Sequence, residues 1–173
     1  MSAAGAKKIL LLGEIGVGKT SLVRRLVLDE LPTDYRPTMG VDLYRRMVTG
    51  LGKGGRESLD LVIWDIDGNY GQSIFRHVYS KGASGALIIG DLTRRPTLEL
   101  MVDLARSFQE AMPGRQFSFV LNKLDLLASK ADADLPEALK TARQPFIWAS
   151  AKSGTNVGPA FASLAEAILR REA

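Results

Sequence analysis

The stretch that decides the fold is Gly13-Glu14-Ile15-Gly16-Val17-Gly18-Lys19-Thr20. It follows an apolar run, Ile9 to Leu12, that is typical of a buried strand, and it leads into an amphipathic helix that starts near Lys19. Glycines in such a turn let backbone N–H groups converge on an anion, and the helix start adds positive potential there. The G-x-x-x-x-G-K-[ST] spacing therefore predicts a phosphate-binding loop, in which Lys19 reaches the terminal phosphates and Thr20 offers a hydroxyl to Mg²⁺.

Length and composition are those of one domain with a full core. The chain has 173 residues, of which 46% are hydrophobic, so we expect a single domain over residues 1–173. It contains no cysteine, which excludes disulfides, thiolate metal sites and a lipid-carrying cysteine within this sequence. The apolar runs are too short to cross a bilayer and the start lacks a secretory pattern, so we expect a cytoplasmic protein. The formal charge of +4 comes partly from scattered arginine pairs, and no aromatic-rich basic stripe indicates nucleic acid binding.

Short apolar runs alternate with helical patterns along the chain. This alternation predicts an α/β fold with a six-stranded, mostly parallel sheet, one antiparallel edge strand and helices on both faces. Together with the phosphate-binding loop at 13–20, it resembles a P-loop NTPase. The glycine-rich turn Gly50–Gly55 makes the second and third strands the antiparallel pair. The predicted strands are Ile9–Leu12, Val41–Thr49, Leu59–Asp65, Ala86–Asp91, Phe117–Asn122 and Phe146–Ala149. The predicted helices are Lys19–Asp29, one within Ser73–Ser80, Thr97–Ala111, Ala133–Thr141 and Asn156–Arg170.

Polar clusters follow the carboxyl ends of several strands, which is where ligands bind in a sheet of this kind. After the third strand, Asp65 can hold magnesium through water, and Gly68 can donate its N–H to a γ-phosphate. After the fifth strand, the carboxylate of Asp125 can accept paired hydrogen bonds from N1–H and the exocyclic amine of guanine. Adenine offers no such pair of donors, so Asp125 selects guanine, while the stem of Lys123 covers the ring.

Two further segments complete this predicted site for GTP or GDP with Mg²⁺. After the sixth strand, Ser150-Ala151-Lys152 can buttress Asp125 and donate the Ala151 N–H to the guanine oxygen. Thr38 lies on the loop before the second strand and reaches magnesium only when the γ-phosphate is present.

The order and intervals of these motifs resemble the Ras superfamily of small GTPases. The segments are GEIGVGKT at 13–20, PTMGVD at 37–42, WDIDG at 64–68, NKLD at 122–125 and SAK at 150–152. Gly40-Val41-Asp42 and Trp64 bring the resemblance closest to the Rab branch. The resemblance implies a switch, in which GTP orders the loops around Thr38 and Gly68, hydrolysis releases them, and protein effectors and regulators bind according to the loop state.

The resemblance also implies a set of contact residues. The nucleotide contacts are Glu14, Ile15, Gly16, Val17, Gly18, Lys19, Thr20, Ser21, Tyr35, Pro37, Thr38, Gly68, Asn122, Lys123, Asp125, Leu126, Ser150, Ala151 and Lys152. The magnesium ligands are Thr20, Thr38 and Asp65, and the catalytic residues are Lys19, Thr38 and Gly68 with Asn69 or Gln72. Rab-like proteins present an apolar patch to effectors, here Leu43, Trp64 and Tyr79; alternatively, these side chains only pack beneath the switch loops.

Several positions depart from the family pattern and concern catalysis. Where the family has the glutamine that orients the attacking water, a gap-free match places the shorter Asn69; Gln72 serves instead if the loop folds differently. The spacing to Gly82 favours Asn69, since it then needs no insertion. Asp67 adds a carboxylate close to phosphate, and Ile15 adds bulk in the phosphate loop, so we expect slow intrinsic hydrolysis.

Three other residues bear on nucleotide retention and turnover. Leu31 stands where the family usually stacks an aromatic ring on guanine, which predicts weaker retention, by about 1 kcal/mol. Arg36 is a lesser candidate for an internal arginine finger, and His77 is expected to be a surface residue rather than a base.

Two functions from different classes follow from these residues. The first is a GTP-dependent switch, expected to be a monomer, with weak hydrolytic activity. The second is a scaffold that holds GTP or GDP constitutively because Asn69 and Asp67 disable hydrolysis. An adenine-specific kinase or ATPase is disfavoured by Asp125.

Overall fold

The structure is a computed structural model that describes residues 4–30, 40–66, 68 and 73–172. Its strands are β1 (Ala4–Leu12), β2 (Val41–Leu51), β3 (Glu57–Ile66), β4 (Ala83–Asp91), β5 (Gln116–Asn122) and β6 (Phe146–Trp148). Its helices are α1 (Lys19–Leu28), α2 (Ser73–Ser80), α3 (Arg95–Ala111), α4 (Glu137–Lys140) and α5 (Val157–Glu172). None of the described helices combines the length and the apolar character that crossing a bilayer requires.

All six strands form one sheet in the order β2-β3-β1-β4-β5-β6. Strand β2 runs antiparallel to β3, and every other pair is parallel. The β2–β3 turn reverses through Gly50, Gly52, Gly54 and Gly55, whose φ angles of +65° to +80° are adopted readily by glycine alone. The predicted sheet, mostly parallel with one antiparallel edge strand, is therefore confirmed.

The sheet has a core layer on each face, because β1 alternates its side chains between them. Ile9 and Leu11 belong to the layer that contains Phe161 of α5, whereas Leu10 and Leu12 belong to the layer that contains Phe108 of α3. A strand covered on both faces has no solvent side, which explains the continuous apolar run before the phosphate loop. This burial fixes the carboxyl end of β1, and with it the loop that starts at Gly13.

One predicted helix is largely wrong. The span Ala133–Thr141 contains only the short α4, Glu137–Lys140, preceded by a 3₁₀ turn at Lys130–Asp132. Pro136 explains the late start, because it sits at the N-cap in an extended conformation (φ −58°, ψ 144°) and disfavours helix in the residue before it. The other predicted elements are present with shifted ends, such as β6, which ends at Trp148 rather than Ala149.

Candidate functional site

The loop between β1 and α1 is organised around the side chain of Lys19. This lysine is buried, and its Nζ donates to the carbonyl oxygens of Gly13 (2.8 Å) and Glu14 (3.0 Å). Gly18 forms the N-cap of α1 with a φ of +102°, a conformation that β-carbon-bearing residues rarely adopt. The ammonium group is thus held inside the loop at the N-terminus of a helix, an arrangement that suits phosphate.

A hydroxyl and a carboxylate meet beside this loop. Thr20 Oγ1 donates to Asp65 Oδ2 at 2.5 Å, and Asp65 is fully buried near the end of β3. Oxygen donors of these two kinds suit Mg²⁺, which commonly takes one or two carboxylates together with substrate phosphates and water. The donor set therefore fits the predicted metal as far as the described residues extend. The third predicted ligand, Thr38, lies outside them.

A cavity of about 290 Å³ opens next to the phosphate loop. Every residue lining it was predicted from the sequence to contact nucleotide: Gly18, Ser21, Asn122, Lys123, Asp125, Leu126, Ala151 and Lys152. Asp125 Oδ1 accepts a hydrogen bond from Ser150 Oγ at 2.6 Å, the buttress that the sequence predicts. The structure thus brings together the three segments that follow β1, β5 and β6.

Asn122 ties these three segments to one another. Its buried amide donates from Nδ2 to Val17 O (2.9 Å) and accepts at Oδ1 from the Ala151 N–H (3.1 Å). The Ala151 N–H, for which the sequence predicts a contact with the guanine oxygen, donates to Asn122 in this structure, and the predicted contact stays a prediction. A Cβ built on Gly18 would lie 2.3 Å from Asn122 Nδ2, so the glycine is needed for this close approach. Both polar ends of Asn122 are used to position loops.

Asp91, at the end of β4, is a buried acid that the sequence reasoning missed. Its Oδ2 accepts from Lys123 Nζ (2.8 Å) and Arg94 Nε (3.0 Å), and its Oδ1 accepts from the N–H and hydroxyl of Thr93. Burial alone would raise the pKa of Asp91, but the hydrogen bonds from Lys123, Thr93 and Arg94 outweigh it and lower the pKa. Arg94 also donates to Ile15 O (2.9 Å), so Asp91 connects the predicted guanine contact Lys123 with the phosphate loop.

A second missed residue, Arg25, supports the loop after β6. Its Nε donates to Ala151 O at 3.0 Å, and its Nη2 donates to Lys152 O. The available signal for both missed groups was position, because Asp91 ends a buried strand and Arg25 lies on the helix that the phosphate loop starts.

The predicted switch residues are only partly described. Tyr35, Pro37, Thr38, Asn69 and Gln72 lie outside the described residues, as do Leu31, Arg36 and Asp67. Gly68 lies directly against the phosphate loop: a Cβ built on it would be 2.5 Å from Ile15 Cγ1 and 2.6 Å from the Ile15 nitrogen. Ile15, itself half exposed, therefore occupies the space beside Gly68. His77 is exposed, as expected.

The three residues of the predicted effector patch differ in exposure. Leu43 is 59% exposed, whereas Trp64 and Tyr79 are partly buried and pack against the core layer that contains α3. Their ring centroids are 6.5 Å apart, and Lys8 Nζ lies 3.7 Å from the centroid of the Trp64 ring. Two of the three residues therefore support the core and one faces solvent, and both alternatives raised by the sequence stay open.

Residues 8–170 match the sequence model of the Ras family. The chain belongs to the Ras family. It is 36% identical to Ras-related protein Rab-13 of Canis lupus familiaris over 166 residues, a match that covers 94% of this chain and 79% of the relative. It is 34% identical to Ras-related protein Rab-1A of Dictyostelium discoideum over 170 residues, covering 95% and 81% of the two chains. Identity to Ras-related protein SEC4 of Saccharomyces cerevisiae is 35% over 166 residues, covering 93% and 74%.

These relatives place the protein near the Rab branch, as its motifs predict. Ras-family proteins of this branch are small GTP-binding switches that bind GTP or GDP with Mg²⁺ and act with effectors and regulators. The fold class is therefore that of a P-loop NTPase.

Proposed function

We propose that this Ras-family protein is a monomeric, cytoplasmic, single-domain switch that binds GTP and GDP with Mg²⁺ and hydrolyses GTP slowly. The observation that carries the proposal is the carboxylate of Asp125, which Ser150 holds at the cavity beside the phosphate loop. A carboxylate oriented in this way accepts two donors from a guanine edge. The cavity and the loop together suit one ligand with a purine base and a phosphate chain.

Three groups of residues have different roles at the phosphate end of the proposed site. Lys19 and the N-terminus of α1 supply positive charge to the phosphates, and Thr20 and Asp65 supply oxygen ligands to the metal. Mg²⁺ contributes charge neutralisation on the β- and γ-phosphates when bound. Gly68 and Thr38 are the residues proposed to bind the γ-phosphate side and to change position when it is lost.

Slow hydrolysis follows from crowding beside Gly68. The side chain of Ile15 fills space next to this glycine, and the gap-free match gives the shorter Asn69 the task of orienting water, with Gln72 as the alternative. We expect turnover on the order of 10⁻⁴ s⁻¹ or below without a partner. Single-turnover phosphate release from GTP-loaded protein measures it. Hydrolysis within seconds would contradict the slow rate, and no release in the presence of Mg²⁺ would favour the scaffold.

Base selection is tested by Asp125→Asn. The amide keeps an acceptor for N1–H but presents a donor where guanine presents its exocyclic amine, so GTP affinity should fall at least about a hundredfold. Xanthosine triphosphate, which has a carbonyl at that position, should bind the variant more tightly than GTP does. Displacement of a fluorescent nucleotide measures both affinities.

Asp132→Asn is the matched control, because Asp132 is an exposed carboxylate in the neighbouring 3₁₀ turn and does not line the cavity. Equal losses of GTP affinity in the two variants, or an unchanged preference for GTP in Asp125→Asn, would refute the assignment of Asp125.

A further inference from the structure

On one face of the β2–β3 hairpin the β2 side chains are exposed to solvent, while those of Asp60 and Trp64 on β3 are more buried. On its other face, Tyr44 and Val48 pack against the core layer that contains α5. On the open face, Leu43 and Met47 are 59% and 48% exposed. Directly opposed residues of antiparallel strands share a face, and the register pairs Leu43 with Trp64, Arg45 with Val62 and Met47 with Asp60. We call these six residues the β2–β3 strip.

Arg45 and Asp60 form an ion pair in the middle of the strip, and their side chains differ in solvent exposure. Arg45 Nε donates to both carboxylate oxygens of Asp60 (3.1 and 2.8 Å), and Arg45 Nη2 donates to Oδ2. The Asp60 side chain is only 10% exposed, whereas that of Arg45 is 73% exposed. The guanidinium of Arg45 thus covers the carboxylate of Asp60. The hydrogen bond from Arg45 lowers the pKa of Asp60, so the carboxylate stays ionised at neutral pH and holds the guanidinium in place.

The exposed charge of the strip is therefore positive. Arg45 uses two of its three nitrogens on Asp60, and its Nη1 donates to no described residue. A second cation, Lys8, stacks on Trp64 at the side of the strip nearer the middle of the sheet. Exposed apolar side chains, Leu43 and Met47, flank Arg45 two residues away on either side. A guanidinium held planar by one carboxylate and edged by apolar surface is complementary to a second carboxylate within an apolar segment.

We propose that the β2–β3 strip docks an amphipathic segment of a partner protein, which places a carboxylate on Arg45 and apolar side chains on Leu43 and Met47. Leu43 and Met47 are roughly 13 Å apart along the strand. A helix spans about the same length with two apolar residues seven or eight positions apart and the acid between them. The inference rests on the proposed function, because Leu43 and Trp64 belong to the predicted effector patch, and it deepens that function by naming the partner's chemistry.

The β2–β3 strip also differs from the switch loops in secondary structure. Its residues lie on regular, hydrogen-bonded strands rather than on the loops around Thr38 and Gly68. The Arg45 contact therefore contributes to partner affinity in both nucleotide states, and the preference for GTP arises from the loops. This separation allows the inference to fail while the proposed function stands.

The test is a selection of random peptides on the full chain, loaded in parallel with GDP and with a non-hydrolysable GTP analogue. We expect the enriched peptides to carry Asp or Glu flanked by apolar residues. Their synthetic forms should bind Arg45→Gln at least about tenfold more weakly than wild type in either nucleotide state, because a charge-assisted contact is lost. Arg46→Gln is the matched control. This neighbouring arginine faces the other side of the strand, and its variant should bind within about twofold of wild type.

A second variant controls for a folding defect in Arg45→Gln, which breaks the ion pair with Asp60. Met47→Ser leaves Arg45 and Asp60 intact and should also weaken the peptides, and thermal unfolding checks that each variant is folded. Peptides without acidic enrichment, or equal weakening by Arg45→Gln and Arg46→Gln, would overturn the inference. So would a dimer, seen by light scattering, that Met47→Ser abolishes, or Arg45-dependent binding to anionic vesicles without peptide selection. Nucleotide titration of the same samples reports on the proposed function separately.

Discussion

At the scale of single residues, Asp91 has the most consequential position. One buried carboxylate holds Lys123, which lines the cavity, and Arg94, which bonds the carbonyl of Ile15 in the phosphate loop. The cavity and the phosphate loop therefore share one anchor. Because the anchor is charged and buried, removing its charge leaves two cations without their partner.

We predict that Asp91→Asn lowers the free energy of unfolding by about 2–3 kcal/mol at neutral pH, since several hydrogen bonds to a charged group are weakened. The native pKa of Asp91 lies below its ordinary value of 3.8. The stabilisation by the ionised carboxylate is thus present above that value and is lost as the pH falls through the native pKa. Urea unfolding of wild type and variant between about pH 7 and pH 3 measures the difference, which should shrink at the acid end.

Asp134→Asn is a suitable control for this prediction. Its carboxylate is exposed and pairs with Arg95 at the surface, so its removal should change stability by less than about 1 kcal/mol. A difference between wild type and Asp91→Asn that stays constant over the whole pH range would contradict the role assigned to the charge.

Some of the candidate site residues can be recognised from the sequence alone. Asp125 and Ser150 could be found because each belongs to a short motif whose spacing has a chemical reason. No such motif identifies the contacts of Arg94 and Arg25, because their partners Ile15 and Ala151 lie 79 and 126 positions away. Such contacts are set by which loops the sheet brings together, and spacing along the chain does not encode them.

At the scale of elements, the site is a junction of three loops that a glycine allows to meet. Gly18 ends the phosphate loop in a left-handed conformation and touches Asn122, which in turn bonds Val17 and Ala151. The geometry of the cavity therefore depends on backbone packing as well as on the side chains that line it.

We predict that Gly18→Ala both destabilises the fold and speeds nucleotide release. The new Cβ would lie 2.3 Å from Asn122 Nδ2 at a backbone φ of +102°, so the bond to Val17 must break or the loop must move. A cost of about 1–3 kcal/mol is expected from strain and a lost buried hydrogen bond. Chemical unfolding and the off-rate of a fluorescent GDP analogue measure the two effects.

Gly158→Ala in α5 is the matched control, because a Cβ at this helical position would meet no atom within 4 Å. That variant should be neutral or more stable, by up to about 1 kcal/mol. Similar behaviour of the two alanine variants would show that the Gly18 contact is unimportant.

Elements also differ in how well the sequence specifies them. The buried strands were predicted because an apolar run covered on both faces is conspicuous, and α5 because its apolar stripe has helical period. The sequence wrongly predicts a helix before α4, because the alanines and charged residues there suit one. Pro136 and the 3₁₀ turn at Lys130–Asp132 exclude it.

At the scale of the whole molecule, one sheet with a core layer on each face positions the described parts of the candidate site at its carboxyl edge. A ligand bound there would bridge the described loops that follow β1, β5 and β6. A ligand that binds only the folded state raises the free energy of unfolding. The increase is about 4 kcal/mol when the free ligand concentration is a thousand times the dissociation constant.

We therefore predict that GDP with Mg²⁺ raises the midpoint of thermal unfolding, and that chelation of the metal lowers it again. ATP at the same concentration should leave the midpoint close to that of nucleotide-free protein, because adenine lacks the donors that Asp125 accepts. Scanning calorimetry of protein stripped of nucleotide provides the measurement. Equal shifts with ATP and GDP would contradict the base selectivity of the site.

The position of β2 has one more consequence. Within the described sheet this strand of 11 residues pairs only with β3, so its outer edge offers main-chain donors and acceptors to any strand that approaches. Such an edge can seed fibrils in concentrated solution. Arg45 and Arg46 put like charges on both sides of it, and two copies meeting edge to edge would bring those cations together. The same arginine that is proposed to attract an acidic partner would then also repel its own kind and keep the folded protein from aggregating.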